Sequence, residues 1–240
     1  MIFSAGLGTR FRPWTEKHPK ALALINGKSL LQRNIEYLQQ QGIRNVVVNV
    51  HHFAEQILHV LEQNKGWGSQ IQISDESEAL LETGGGLLKA QHLLDQEPFF
   101  VTINVDILTD LNIQELFQFH QKEEALISLG ITERPSSRKL LFDPSNRLIG
   151  WKNTATSETK MATKEYKGTE SAIKARAYSC VAVFNSKIFS LIRQKGKFSI
   201  IDTYLDLAGQ YKIAGYEHSG GRLIDVGKPE AIALAEELFP

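Results

Sequence analysis

The chain has 240 residues, and its 27 Lys and Arg balance 27 Asp and Glu to a formal net charge of zero. A protein that neutralises many nucleic-acid phosphates needs a cationic surplus, and this chain has none. With 42% hydrophobic and 22% charged residues the composition is that of a folded globular protein, and no uncharged run exceeds about ten residues, too few to span a bilayer.

In chain order, Met1–Ser4 reads as a first strand, short for a buried one, as if the numbering began inside a longer strand. It has neither a basic leader nor a long apolar stretch, so a secretory signal is not expected. A Gly-rich loop follows, Ser4-Ala5-Gly6-Leu7-Gly8-Thr9-Arg10, and then a polar stretch as far as Asn26-Gly27. Leu30, Leu31, Asn34, Ile35 and Leu38 recur at helical spacing, with Gly42 where a helix end favours a left-handed residue. Val46–Val50 is expected to be a buried strand, Phe53–Leu61 a helix, and Ile71 and Ile73 part of a short strand. A helix is predicted to start within Gly84-Gly85-Gly86 and to run to about Leu94. Phe99–Val105 reads as the next central strand and Ile113–Phe119 as the next helix. Further on, Ala125–Ile131 and Ala177–Phe184 read as strands, Lys139–Phe142 and Leu148–Trp151 as a hairpin, and Ser199–Ala208 and Pro229–Leu238 as helices.

Strand-like runs alternating with amphipathic stretches predict an α/β fold: a Rossmann-like mixed, mainly parallel sheet wound with helices. One domain is expected over residues 1–240, with an irregular hairpin and flap at about 134–176. Residues 152–176 are polar, with Met161, Tyr166 and Ile173 as their sizeable apolar groups. From Arg134 to Arg176 there are ten Lys and Arg against four Asp and Glu, which leaves the rest of the chain at −6. That asymmetry reads either as a solvated flap or as an anion-facing lid over a phosphate-bearing substrate.

Glycines after a first strand let backbone N–H groups approach a phosphate where the chain leaves the carboxyl end of a parallel sheet. Two common phosphate-loop patterns are incomplete here. Phe11 stands where the dinucleotide fingerprint has its third glycine, and Thr9-Arg10-Phe11 where the P-loop has Gly-Lys-Ser/Thr. Instead the chain offers Arg10, Pro13, Thr15 and Pro19-Lys20. Arg10 and Lys20 can close on a polyphosphate from two sides, Arg through forked hydrogen bonds and Lys as a point charge. The single cysteine, Cys180, excludes an internal disulfide and a four-thiolate zinc site, and the seven histidines form no recognisable zinc motif. A reducing cytoplasm is the expected compartment.

Gly6-Leu7-Gly8-Thr9-Arg10, Pro13, Thr15 and Pro19-Lys20 resemble the signature of the sugar-1-phosphate nucleotidylyltransferases, with matching spacing throughout. Leu81–Gly86 resembles their second nucleotide-binding turn, in the form found in N-acetylmuramate-1-phosphate uridylyltransferases. Phe99–Asp110 resembles the strand ending in a metal-binding aspartate, here Asp106, and Leu223–Pro229 the segment carrying the second, here Asp225. The resemblance covers nearly the whole chain except about residues 134–176. It implies Mg2+-dependent transfer of a nucleoside monophosphate from a nucleoside triphosphate to a sugar-1-phosphate, with no nucleic-acid or membrane partner. Ala5, Gly6, Gly8, Thr9, Arg10, Lys20, Thr83, Gly84 and Gly85 would bind the nucleotide. Arg10, Lys20, Asp106 and Asp225 would be catalytic, the two aspartates as Mg2+ ligands, and Lys152, Ser179 and Cys180 would face the sugar phosphate.

Three positions depart from the family pattern. Val105 precedes Asp106 where Gly is usual, so either this loop is extended or the site is altered, since a β-branched residue disfavours positive φ. Cys180 stands where Gly is common, as a sugar contact or as a small buried apolar group. Trp151-Lys152-Asn153 lacks the sugar-binding glutamate of hexose-type members, which argues against an ordinary glucose-1-phosphate enzyme. The Glu82–Gly86 form leans to UTP with an amino-sugar acid, ahead of GTP with a mannose-like or heptose 1-phosphate and of CTP with choline phosphate. A glycosyltransferase and a nucleotide-sensing module are the alternatives; Arg10 and Lys20 count against the first, and Val105 favours the second. His51-His52 reads as a strand-end cap, and Asp75 and Glu76 as loop acids or contacts to base or ribose.

Overall fold

The computed structural model describes residues 1–162 and 168–240; Tyr166, counted above with the flap, lies outside the described residues. The first half runs β1 (Ile2–Phe3), β2 (Leu24–Ile25), β3 (Lys28–Ser29), α1 (Leu30–Gln40), β4 (Asn45–Val50), α2 (Ala54–Gln63), β5 (Gln70–Asp75), α3 (Glu82–Lys89), α4 (Gln91–Leu94), β6 (Phe99–Asn104), β7 (Ile107–Thr109) and α5 (Ile113–Lys122). The second half runs β8 (Ile127–Thr132), β9 (Arg138–Phe142), β10 (Leu148–Asn153), β11 (Thr159–Met161), β12 (Lys174–Asn185), α6 (Ile200–Ala208), β13 (Ile213–Glu217), β14 (Leu223–Asp225) and α7 (Ile232–Leu238).

The sheet is mixed and wound, as the alternation of strands and helices predicts. Its wound part is parallel: β1 lies between β4 and β6, and β5 pairs with β4. The antiparallel β12 then joins β6 to β8 and β9, and β9, β10 and β11 form the flap side. Apolar side chains on both faces of the central strands make two cores. In β4, Val46, Val48 and Val50 face the cluster built on α1 and α5, whereas Val47 faces the one built on α3 and α6. This period of two explains why a continuous apolar run makes a strand buried from both sides.

The helices start where polar caps satisfy their first amides. The Ser29 hydroxyl accepts from the Gln32 N–H, Asn112 accepts from Gln114 and Glu115, and Ser199 accepts from Ile201. Gly42, two residues beyond α1, has φ +83°, a left-handed conformation that favours glycine.

Several details differ from the sequence reading. The helix expected from Gly84–Gly86 to Leu94 begins earlier, at Glu82, and breaks at Ala90 before the single turn of α4. The short pairs β2–β3 and β7–β14 and the strand β13 were not anticipated. Such short strands carry too few alternations to register as a pattern. The flap's Met161 is 39% exposed and Ile173 is half-buried, so neither anchors a core there.

His120, on the inner face of α5, is 1% exposed and meets the Ser128 hydroxyl at 3.0 Å, with Nε2 buried and unpartnered among the described residues. Burial lowers its imidazole to about 4, against an unfolded value near 6.5. Between those values the unfolded chain binds the extra proton, so stability falls as pH drops from about 6.5 towards 4, by on the order of 3 kcal/mol from this group. Denaturant titrations across that range should show the loss in the wild type and a flatter profile in His120→Gln.

Candidate active site

The carboxyl ends of β1, β4, β5 and β6 open onto a cavity of about 380 Å³, whose wall includes Ser4–Gly6, Gly8–Arg10, Lys20, Asn49, Glu76, Thr83, Asp106 and Gly227. The Gly-rich loop turns sharply at Gly8, φ +59°, and its carbonyl oxygen accepts from the Thr15 hydroxyl at 2.9 Å. An added Cβ at Gly8 would lie 3.0 Å from Thr15 and 3.1 Å from Lys20, so this glycine also lets the loop close on Lys20.

Lys20 is 8% exposed, and its ammonium donates to Asp106 Oδ2 at 2.5 Å. Asp106 follows β6, and Asp225 is delivered to it by the short pair β7–β14, in which Asp225 is opposite Ile107. The Val226 amide then donates to the Asp106 carbonyl oxygen at 2.8 Å. Asp225 lines an adjoining cleft with Arg10 and Gly227. A Cβ on Gly227 would stand 2.7 Å from Asp225 Oδ1 and 3.0 Å from Arg10 Nη2, so its absence lets that acid and that base approach. Partial burial of its carboxyl, and then the charge of Asp106, hold Asp225 above the usual carboxylate range against the pull of Lys20, Arg10 and Arg134. Two acids and two cations thus converge beside the glycine loop.

Val105 has an ordinary negative φ, is 6% exposed and belongs to a core cluster. Its amide donates to the Phe3 carbonyl oxygen at 3.0 Å, and its own carbonyl accepts from Asn34 Nδ2 at 2.9 Å. The valine therefore continues the strand's pairing beyond β6, and Asp106 emerges without needing glycine.

The first two of the three glycines turn their amides away from the cavity. Gly84 and Gly85 both donate to the Phe198 carbonyl oxygen, at 3.0 and 3.3 Å. Added Cβ atoms would meet the Phe198 ring at 2.4 Å from Gly84, the Gly196 oxygen at 2.2 Å from Gly85 and Glu76 Oε1 at 2.5 Å from Gly86. These glycines bring α3 close to the segment before α6 and to Glu76. Of the turn residues named from the sequence, Thr83 lines the cavity, and its hydroxyl accepts from the Ile200 amide at 3.1 Å.

Lys152 lies on β10 with its side chain exposed, opposite Lys139 and Thr159 in the ladder, and lines neither cavity. Ser179 is buried, with its hydroxyl 2.7 Å from His218 Nε2. Cys180 sits in a bulge of β12, between Tyr178 and Ala182, with φ +56°, uncommon for a residue with a side chain. Burial, and then the charges of Asp106 and Asp225, push its thiol up to about 12, so it is neutral and close to both acids.

Asn49 carries weight that the sequence reading did not assign. Its Oδ1 accepts from the Ser4 amide at 2.6 Å and the Ala5 amide at 3.3 Å, while Nδ2 donates to Glu76 Oε1 at 2.7 Å. Glu76 is fully buried, and desolvation holds its carboxyl above the usual range. One amide thus ties the start of the glycine loop to the residue on which Gly86 packs. The available signal was an asparagine inside the run Val46–Val50. His51 Nδ1, 2.7 Å from the Glu76 carbonyl oxygen, has the strand-end role expected of it, and Asp75 is capped by the Ser77 amide.

A wound α/β sheet with a Gly-rich, cationic loop and paired carboxylates at its carboxyl edge defines a class of protein suited to polyphosphates. The chain belongs to the nucleotidyl transferase family, whose profile matches residues 1–140. It is 44% identical over 108 residues to N-acetylmuramate alpha-1-phosphate uridylyltransferase of Caulobacter vibrioides, covering 44% of each chain. It is 27% identical over 235 residues to the mannose-1-phosphate guanyltransferase of Yarrowia lipolytica, covering 96% of this chain and 61% of that one. These matches span roughly half of the curated relatives' own lengths, 44% and 61%. HddC from Yersinia pseudotuberculosis, crystallised with GMP-PN, shares the fold at a TM-score of 0.77 and 22% identity, over 100% of this chain and 98% of that one. Among the described residues no helix is long and apolar enough to cross a membrane.

Proposed function

We propose that this chain is a cytoplasmic enzyme that transfers a nucleoside monophosphate from a nucleoside triphosphate to a sugar-1-phosphate. An acceptor phosphate oxygen attacks the α-phosphorus, the bond from that phosphorus to the bridging oxygen breaks, and pyrophosphate leaves with the electron pair. The observation that carries this reading is the convergence of Arg10, Lys20 and Asp106 on the cavity beside the loop Ala5–Thr9, with Asp225 in the adjoining cleft that Arg10 also lines. Phosphoryl transfer of this kind needs positioning and charge stabilisation more than covalent help. Exposed Arg10 holds the departing pyrophosphate, and buried Lys20 neutralises the α-phosphate. The glycine loop offers backbone donors to the triphosphate, and Thr83, which lines the same cavity, is available to the nucleoside.

The donor set fits Mg2+. Asp106 and Asp225 supply oxygen alone, and Asp225 is held above the usual carboxylate range first by desolvation and then by the charge of Asp106. Among the described residues no three His, Cys, Asp or Glu form a complete protein cage. Magnesium commonly takes only one or two carboxylates and leaves the rest of its shell to phosphates and water. When bound, it would neutralise charge developing on the α-phosphate and the leaving group.

The names of the relatives support UTP with N-acetylmuramate 1-phosphate, then GTP with mannose 1-phosphate, as the first pairs to test. Choline phosphate with CTP completes the set. Phosphorus NMR of the products tests the reading: a nucleoside diphosphate ester and free pyrophosphate are expected in equal amounts. Release of inorganic phosphate without that ester would contradict it.

Asn49→Ala removes the acceptor for two loop amides while leaving every charged residue in place. Affinity for the productive triphosphate is expected to fall about tenfold, ~1.4 kcal/mol, as read by calorimetric titration.

A further inference from the structure

Arg134 is half-buried just beyond β8, with Nη2 donating to the Tyr178 carbonyl oxygen at 3.0 Å and Nε buried without a partner among the described residues. The nearby acids are committed elsewhere. Arg176 holds Glu133 at 2.8 Å and Glu217 at 2.6 Å, and among the described residues no carboxylate forms an ion pair with Arg134. A partly desolvated guanidinium without a counter-charge is costly unless an anion joins it.

Its position gives that anion a place. The carboxyl edge of the sheet presents, in order, the glycine loop after β1, Asp106 after β6, the bulge at Cys180 on β12, and Arg134 after β8. Arg134 is tied to Tyr178, two residues from Cys180, on the strand that pairs with β6 just before Asp106. In an in-line displacement the nucleophile enters opposite the leaving group. With pyrophosphate on the glycine-loop side of Asp106, the attacking phosphate comes from the β12–β8 side. On that side buried Ser179, next to Cys180, meets half-buried His218 Nε2 at 2.7 Å.

We infer that Arg134 binds the phosphate monoester of the acceptor, its guanidinium fork holding the attacking group against Asp106 and Asp225. This rests on the transfer reaction proposed above. It also gives one cation of the positively charged segment 134–176 a definite task. Lys139 is engaged differently, donating to the Arg134 carbonyl oxygen at 2.6 Å and so fixing the backbone from which that side chain projects.

The test is steady-state kinetics of pyrophosphate release in the wild type and in Arg134→Ala, Arg134→Gln and Arg134→Lys, with thermal melts alongside. Gln keeps a donor for the Tyr178 carbonyl oxygen but no charge, so it separates a structural tie from anion binding. In Ala and Gln the KM for the acceptor should rise at least tenfold, with the KM for the triphosphate within about twofold of the wild type. Lys should recover most of the acceptor affinity. An acceptor KM unchanged in both Ala and Gln, or a parallel rise in the triphosphate KM, would overturn this inference alone. A wild-type chain that releases no pyrophosphate with any acceptor overturns the reaction, and the role of Arg134 with it.

Discussion

Replacing Asp106 with Asn is expected to lower turnover by about 10²–10³-fold, and Asp225→Asn by a similar factor. Their effects on stability should differ in sign. Asp106 is the partner of Lys20, 2.5 Å away and 8% exposed, so the Asn variant leaves a buried ammonium with only a neutral acceptor. Asp225 is held above its usual range by desolvation and by Asp106, so its charge opposes folding at neutral pH and Asn removes that opposition. Asp106→Asn should therefore melt below the wild type and Asp225→Asn at or slightly above it, while both are nearly inactive. Near wild-type turnover in either variant would remove that residue from the chemistry.

The second large effect lies in the triple glycine, and it is on stability. Ala is the better helix former by up to about 1 kcal/mol, but at Gly85 its Cβ would sit 2.2 Å from the Gly196 carbonyl oxygen and 2.9 Å from Leu81 Cβ. Both the oxygen and its backbone are hard to displace, so the clash outweighs propensity and Gly85→Ala should destabilise by about 1–3 kcal/mol. At this chain length each kcal/mol lowers Tm by roughly 2–4 °C. Gly6→Ala provides the contrast: an added Cβ there meets nothing within 4 Å. Its Tm should stay near that of the wild type, and the methyl group would obstruct only a ligand approaching the loop. Equal melting temperatures for the two variants would show that the glycines after Glu82 do not serve close packing.

The elements legible in the sequence were those whose periodicity reflects burial. Val46–Val50 and Phe99–Val105 are apolar on both faces because helices cover both sides of the sheet, and Leu30, Leu31, Ile35 and Leu38 form one buried stripe of α1. The glycine loop was legible because its small residues and cations are contiguous. The pairing that brings Asp225 to Asp106 was not, since three-residue strands carry no periodic signal and their partner is remote in sequence. Gly84 and Gly85 resemble part of a nucleotide-binding turn in sequence, yet their amides meet a carbonyl oxygen at Phe198, a distant neighbour that no local pattern reveals. Val105 stood out as a departure where glycine is usual, and the structure absorbs it as a buried strand residue. Arg134 was present only as part of a local excess of charge. Its significance depends on Glu133 and Glu217 being occupied by Arg176, which is a tertiary fact.

The most direct test of the central claim is a time course of pyrophosphate release with Mg2+, with four nucleoside triphosphates crossed against a panel of sugar-1-phosphates and choline phosphate. Asp106→Asn serves as the blank. The expected result is release that requires one particular triphosphate and one particular acceptor together, in equal amounts with the acceptor consumed, and that is absent from the blank. Pyrophosphate released at the same rate without any acceptor, or equally by Asp106→Asn, would contradict it.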